Sequence, residues 1–315
     1  MAYIVKRLSM MLVVVIVVMT FMAALVHLIP GDPVSAILGP RADPALTKIV
    51  RHDMHLDASV PDQIWIFVTG AFRGDLGVDF TSNESVSTLV FNALPHTVVL
   101  AISSLFLAVA VGVPLGVYAA TRPNTILDRA SGVLAVSAIT IPPYVAGLYL
   151  LLIFAVHFRV LPAIGSGSFA HPLDYLRHLV LPSVALAITW IGYLARLVRA
   201  NMLEVLGSNY IRTAKAFGLH DRRIFYWYAL KNAITPTIAV LGVGLGTLMG
   251  GAIFVEVIFA RPGLGTLIYD AIETRNYPIV RGGVLVVAII FVLANLLADL
   301  SYRLLDPRIR EHQVR

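Results

Sequence analysis

The sequence predicts an all-α integral membrane protein with six transmembrane helices and a structured long first outer loop. Three observations carry this reading. Hydrophobic residues make up 58% of the 315 and charged residues only 13%, where a soluble domain carries about 25% charged residues. Mean hydropathy is +0.83. Six apolar stretches, 8–29, 96–120, 131–157, 179–200, 236–259 and 282–304 in approximate bounds, each reach the roughly 20 residues that a helix needs to cross the hydrocarbon core.

The first stretch, LSMMLVVVIVVMTFMAALVHLI, follows Lys6 and Arg7. A signal peptide is the competing reading. The segment is long for a signal core and lacks a small-x-small cleavage site, so it reads as a retained span. Orientation follows from the basic residues. With the N-terminus inside, the inner segments hold Lys6, Arg7, Arg122, Arg129, Arg196, Arg199, Arg212, Lys215, Arg222, Arg223, Lys231, Arg303, Arg308, Arg310 and Arg315. The outer ones hold Arg41, Lys48, Arg51, Arg73, Arg159, Arg177, Arg261, Arg275 and Arg281, four of them in one long loop. Both termini are therefore expected in the cytoplasm. The net charge of +6 reads as topology and not as nucleic-acid binding.

The outer loop, about 30–95, opens on the turn signal Pro30-Gly31-Asp32-Pro33. Asp43 and Pro44 predict an N-cap and a first helical residue, with Leu46, Ile49 and Val50 as the apolar face. A second short helix is expected from Pro61, burying Ile64, Phe67, Val68 and Phe72 and ending at Gly74-Asp75-Leu76-Gly77. Eight acids against four bases fit either a solvated acidic loop or a surface for a cationic ligand or basic partner. The second span starts LPHTVVL, where Pro95 suits a first turn.

The third span contains Ile141-Pro142-Pro143, which must break its hydrogen-bond ladder. Two readings stand, a packing kink and a pathway-lining break covered by neighbouring protein or water. In the fifth span Gly242, Gly246 and Gly250 have the small-xxx-small spacing that predicts close helix packing.

Tests for chemistry are mostly negative. No lysine among Lys6, Lys48, Lys215 and Lys231 follows a glycine, so no Walker A loop exists. There is no HExxH, and no GxGxxG with a following acid. Cysteine is absent, which excludes disulfides and thiolate metal sites. His52 and His55 are spaced for a metal but lack further ligands, and the expectation is no metal and no cofactor. Asn83-Glu84-Ser85 fits a glycosylation sequon. Ser166, Ser168 and His171 lie in a loop without a legible acid partner. Asn295, Asp299 and Arg303 share one ridge of the last helix, read as an ion pair with Arg303 snorkelling to the interface. Glu256 is expected near the outer end of span five, within reach of water.

Between spans four and five stands YIRTAKAFGLHDRRIFYWY, residues 210–228. Ser208 or Asn209 can cap a short helix. Tyr210, Ala214 and Phe217 then share one apolar face, while Arg212, Lys215 and Ala216 point elsewhere. Gly218 is placed to end the helix in the left-handed conformation, and Asp221 to cap the next one. Phe225, Tyr226, Trp227 and Tyr228 suit a membrane-interface belt. Pattern alone leaves two readings, an ordinary amphipathic loop and a knob for a groove on another chain.

RTAKAFGL (212–219) resembles the coupling loop of ATP-binding-cassette importer permeases, in the peptide/nickel/glutathione branch. The acid of the broader family's loop is missing and its later proline falls near Lys231-Asn232, as is usual in that branch. IPGDPV (29–34), GDLG (74–77), HLVLPSVALAI (178–188), GGAIFVEVIFARPGLGTLI (250–268), NYPIVRG (276–282) and LLDPRIR (304–310) extend the resemblance over nearly the whole chain.

The resemblance implies the type I importer permease fold. Residues 1–95 would form the first helix and extracytoplasmic loop, 96–304 a five-helix core with a coupling loop about 201–235, and 305–315 a cytoplasmic tail. It implies a non-catalytic subunit in the bacterial inner membrane, surrounded by lipid. Its partners would be a homologous second permease, two cytoplasmic ATPases and an extracytoplasmic solute-binding protein. Tyr210, Arg212, Thr213, Ala214, Lys215, Ala216, Phe217, Gly218 and Leu219 would contact the ATPase. Di- or oligopeptides are the expected solute, with nickel chelates, glutathione or another small solute as alternatives. A secondary transporter or an intramembrane hydrolase fits less well, because no deep charged or catalytic constellation is legible.

Overall fold

A computed structural model describes residues 9–10, 12–22, 34, 43–53, 56–79 and 81–305. Its helices are α1 (Leu12–Met22), α2 (Pro44–Asp53), α3 (Val60–Phe72), α4 (Val86–Thr121), α5 (Ile126–Thr140), α6 (Pro143–Leu150, continued as a π-helix Leu151–His157), α7 (Pro172–Leu206), α8 (Asn209–Ala216), α9 (Asp221–Arg223, a π-helical Ile224–Ala229 and Leu230–Ala233), α10 (Thr235–Ile258), α11 (Leu264–Glu273) and α12 (Tyr277–Leu305). Helices α4, α7, α10 and α12 are each long and apolar enough to cross a membrane. Helices α5 and α6 together make one broken span, bent by 102°. Of the expected first span, α1 is the described part. The IPGDPV turn except Val34, His55 and residues 306–315 lie outside the described residues, and so do the side chains of Asp299 and Arg303.

Two compact units divide the chain, Met1–Thr97 with Pro262–Val292, and Val98–Arg261 with Leu293–Arg315. In the first, the loop before α4 is folded. Asp43 caps α2 by accepting from Ala45 N at 2.9 Å. Ser59 caps α3, which begins one residue before the expected Pro61. Phe67 and Val68 pack on the core as expected, but Phe72 departs from expectation, being 76% exposed, and Gln63 is the buried residue of α3. Ile49 is exposed too. Leu76, Val86, Val90, Leu264, Ile279 and Leu285 build the core of this unit. Helix α4 starts at Val86, so Pro95 lies in its interior and not in its first turn. Hydropathy misses the added turns because their polar side faces outward while Val86, Val90 and Ala93 are buried.

Asp79 pins the same unit. Its carboxylate accepts from Thr81 N at 2.9 Å and Ser82 Oγ at 2.6 Å, and from Asn276 Nδ2, which lies 197 residues away in sequence. Burial pushes its pKa up, but hydrogen bonds from the Ser82 hydroxyl, Thr81 N–H, Asn276 and Ser82 N–H outweigh it, and the value falls below the ordinary carboxylate one. The ionised form is therefore favoured by folding. Its contribution is complete above the unfolded value of about 3.9 and lost as pH falls through the lower folded value. Thermal unfolding followed from neutral pH to about 3 should show this acid-sensitive component in the wild type. Asp79→Asn should flatten it.

In the second unit α7 is the central helix, packed by α5, α6 and α10. The approach is close at glycines. A Cβ on Gly192 would lie 2.5 Å from Ala135 O, and one on Gly116 2.7 Å from Ala195 O. Gly112 and Gly116 form a small-xxx-small pair that the sequence reading passed over. Prolines interrupt helix ladders here, and two of the breaks have an identifiable cover. Pro142 and Pro143 end α5 at Thr140, and Thr189 Oγ1 reaches the freed Ile141 O at 3.3 Å. Pro182 sits inside α7 and cannot donate to His178 O four residues back.

Arg261 takes that place. Its Nη1 donates to His178 O at 3.3 Å, its Nη2 to Tyr175 Oη at 3.2 Å, and its guanidinium lies 5.4 Å from the Tyr175 ring centre. Arg261 is fully buried, and so is Glu256, which sequence had placed within reach of water. The buried guanidinium of Arg261 is served by the His178 carbonyl and the Tyr175 hydroxyl and ring. Arg261→Met removes the charge-assisted donor and should destabilise the subunit by about 2–3 kcal/mol, read as a lower thermal midpoint, whereas Arg275→Met on the exposed surface should not.

Candidate functional site

The loop between α7 and α10 is built from its buried side outward. Gly207 closes α7 by donating to Leu203 O and Glu204 O. Ser208 then takes the extended N-cap conformation of α8, φ −71° and ψ 155°. Its hydroxyl does not cap; it turns back to Val205 O at 2.6 Å. Ile211 and Ala214, three residues apart and 0% and 7% exposed, fix the inner face of α8. They enter a core made by Val117 and Ala120 of α4, Val198 and Met202 of α7, and Ile224, Ala229 and Ala233 of α9.

The helix ends as its sequence suggests. Gly218 has φ +72°, Gly218 N donates to Lys215 O at 2.9 Å and Leu219 N to Ala214 O at 3.3 Å. That pair of bonds is a Schellman motif, and Leu219 closes it by packing on the same core. The apolar face differs from expectation. Tyr210 is half-exposed and Phe217 is 82% exposed, so Tyr210, Ala214 and Phe217 do not form one surface. Ala214 belongs to the interior, and the outer surface carries Arg212, Thr213, Lys215, Ala216 and Phe217. Tyr210 has another task, since its hydroxyl accepts from Asn232 Nδ2 at 2.8 Å and ties α8 to α9.

His220, and not Asp221, is the N-cap of α9, and Asp221 is its first helical residue. The π-helical turn sets Ile224 and Ala229 inward and leaves Tyr226 and Trp227 exposed. With His220, Arg222, Arg223 and Tyr228 they line an open concavity of about 790 Å³. The loop thus presents an exposed Phe217 on α8 and, on α9, a basic and aromatic hollow.

A contact absent from the sequence reading reaches the helix that leads into this loop. Arg199 of α7 grips Asp128 in the first turn of α5, Nε to Oδ1 at 2.6 Å and Nη2 to Oδ2 at 2.9 Å. Asp128 also accepts from Asn124 N at 3.0 Å. An acid among arginines flanking an apolar run was the available signal, but 71 residues separate the partners.

The other sequence candidates separate. Pro142 and Pro143 stand at the 102° bend. Gly242 meets Ala298 of α12 so closely that no Cβ fits, and Gly246 is buried. Gly250 has open space where a Cβ would be, so the expected close packing ends before it within this chain. Gly244, outside that register, packs on the Trp190 ring. Among the described residues no three metal-binding side chains cluster.

This fold, four apolar helices long enough to cross a membrane and one broken span, with a polar loop between α7 and α10, is that of a multi-pass membrane protein. The chain belongs to the binding-protein-dependent transport system inner membrane components, whose family model matches residues 112–311, with the N-terminal model of the same systems matching 1–101. It is a permease of ATP-binding-cassette importers, in the peptide/glutathione branch.

Over 308 residues, 98% of both chains, it is 36% identical to the glutathione transport system permease protein GsiC of Pectobacterium atrosepticum. Over 309 residues, 98% of this chain and 99% of the relative, it is 36% identical to the probable peptide ABC transporter permease protein y4tP of Sinorhizobium fredii. In solved structures, a chain of the inward-facing MetNI methionine ABC transporter aligns with TM-score 0.57, covering 69% of this chain and 96% of that one at 21% identity. This last likeness shows the fold.

Proposed function

We propose that the chain forms half of the translocation pathway of an ATP-driven importer and receives the ATPase stroke through α8. The second half is a homologous permease. Two ATPases grip the inner face and a solute-binding protein delivers cargo to the outer one. Both termini lie in the cytoplasm in this reading, which the excess of arginine and lysine in the inner segments supports. The observation that carries the coupling role is the split of α8, with Ile211 and Ala214 locked in the core and Phe217, Arg212 and Lys215 presented outward. A helix so anchored transmits displacement to α4, α7 and α9 instead of bending. ATP binding on another chain then biases a two-state permease.

Small peptides are the proposed solute. Glutathione, itself a tripeptide, is a second reading, favoured by the relatives named for it and by their equal identity to this chain.

Reconstitution of the chain with its cognate permease, ATPases and binding protein tests this. Uptake of labelled di- and tripeptides should require all components, and the chain alone should hydrolyse no ATP. ATP turnover by the rigorously purified chain, or solute flux through it without partners, would contradict the proposal.

A further inference from the structure

Helices α4, α5 and α7 leave an apolar cleft between them. Leu115 and Tyr118 form one wall, Leu134 and Ala138 another, and Ile188 and Ile191 the third. Its volume is about 390 Å³, within the range of roughly 300–1,000 Å³ of ligand sites. The floor is set by Gly192, where α5 and α7 approach too closely for a side chain. Ser131, one of the few polar residues on the walls, spends its hydroxyl on Asp128 O at 2.9 Å, which leaves the phenol of Tyr118 as the polar group at the mouth.

That phenol is not alone. Arg122, one helical turn further on, donates Nη1 to Tyr118 Oη at 3.0 Å and holds its guanidinium 5.0 Å from the ring centre. Arg122 is exposed, and Arg129 is exposed at the same end of α5. The nearby acid, Asp128, is committed to Arg199. Among the described residues no carboxylate pairs with Arg122. A dry cleft thus ends in a guanidinium already oriented by an aromatic ring, with donors to spare.

We infer that this cleft binds one anionic phospholipid, an acyl chain along Leu134 and Ile188 and its phosphate on Arg122. The planar guanidinium matches phosphate geometry, and a basic residue at an anionic membrane surface adds about 1 kcal/mol, roughly fivefold in affinity. Membrane insertion follows from the family. Only the choice of the cytoplasmic leaflet rests on the proposed orientation, and it can fail without the cleft failing.

The test uses the permease pair purified in detergent and titrated with phosphatidylglycerol or phosphatidylcholine of the same acyl chains, with retention read by native mass spectrometry. Phosphatidylglycerol should be retained about fivefold more strongly, and Arg122→Gln should remove that preference without lowering the thermal midpoint. Ala130→Trp, filling the cleft from an exposed position, should lower retention of both lipids. Equal retention by the wild type, or an undiminished preference in Arg122→Gln, would overturn the inference. So would a photo-crosslinker at Leu134 that captures the second permease and no lipid.

Discussion

Phe217→Asp should leave the importer assembled in the membrane and its ATPases active, while solute uptake falls about thirtyfold, the loss of roughly 2 kcal/mol that follows removal of an interface anchor. Phe217 is the most exposed large hydrophobic side chain of the loop and is absent from the core beneath it, so its loss should not unfold the chain. An acid in its place also sets a desolvated charge against the partner's groove. Gly218→Leu reaches the same end through the backbone. At φ +72° a side chain costs about 1–2 kcal/mol, and the Schellman turn that sets the direction of Phe217 relaxes. Ala214→Trp makes a poor coupling probe. Ala214 is interior, and overpacking there should lower the amount of folded protein by about 1–3 kcal/mol of stability.

The second large effect concerns Asp128 and Arg199. Arg199→Met leaves a carboxylate 5% exposed without its cation. Breaking a buried pair from one side costs about 3–5 kcal/mol. Because the Arg199 side chain is 35% exposed and Asn124 N still serves Asp128, the lower end of that range applies. Asp128→Asn should cost less, since an amide oxygen keeps the bond to Asn124 N. The double variant Asp128→Asn, Arg199→Met should be more stable than Arg199→Met alone, a non-additivity that thermal unfolding of all four proteins measures. Additive losses would mean that the pair is not a stabilising contact. The pair joins the first turn of the broken span to the helix that continues into α8, so uncoupled hydrolysis should accompany the lost stability.

Much of this architecture was legible because single-segment physics dictates it. Apolar length located the spans, Pro142-Pro143 located the break, and Gly218 located the end of α8. What sequence left open depends on neighbours. On α8 both Tyr210/Ala214/Phe217 and Ile211/Ala214 satisfy helical spacing, and only the core of α4, α7 and α9 decides between them. Arg261 read as an outer-loop base, because its role as cover for the carbonyl stranded by Pro182 joins residues 83 apart. Helices α4, α7 and α12 outrun their apolar stretches for a similar reason. Their added turns bury one face on protein, and average hydropathy does not register a single face.

The central claim is that Phe217 sits in the grip of an ATPase. The chain contains no cysteine, so Phe217→Cys supplies a single reactive thiol, and a short bifunctional reagent can be applied to the assembled importer in membranes. The account predicts an adduct between position 217 and the ATPase that changes in yield when ATP is bound, and none from Phe169→Cys in the loop before α7. Normal uptake by Phe217→Cys with no ATPase adduct, or an equal adduct from position 169, would contradict it.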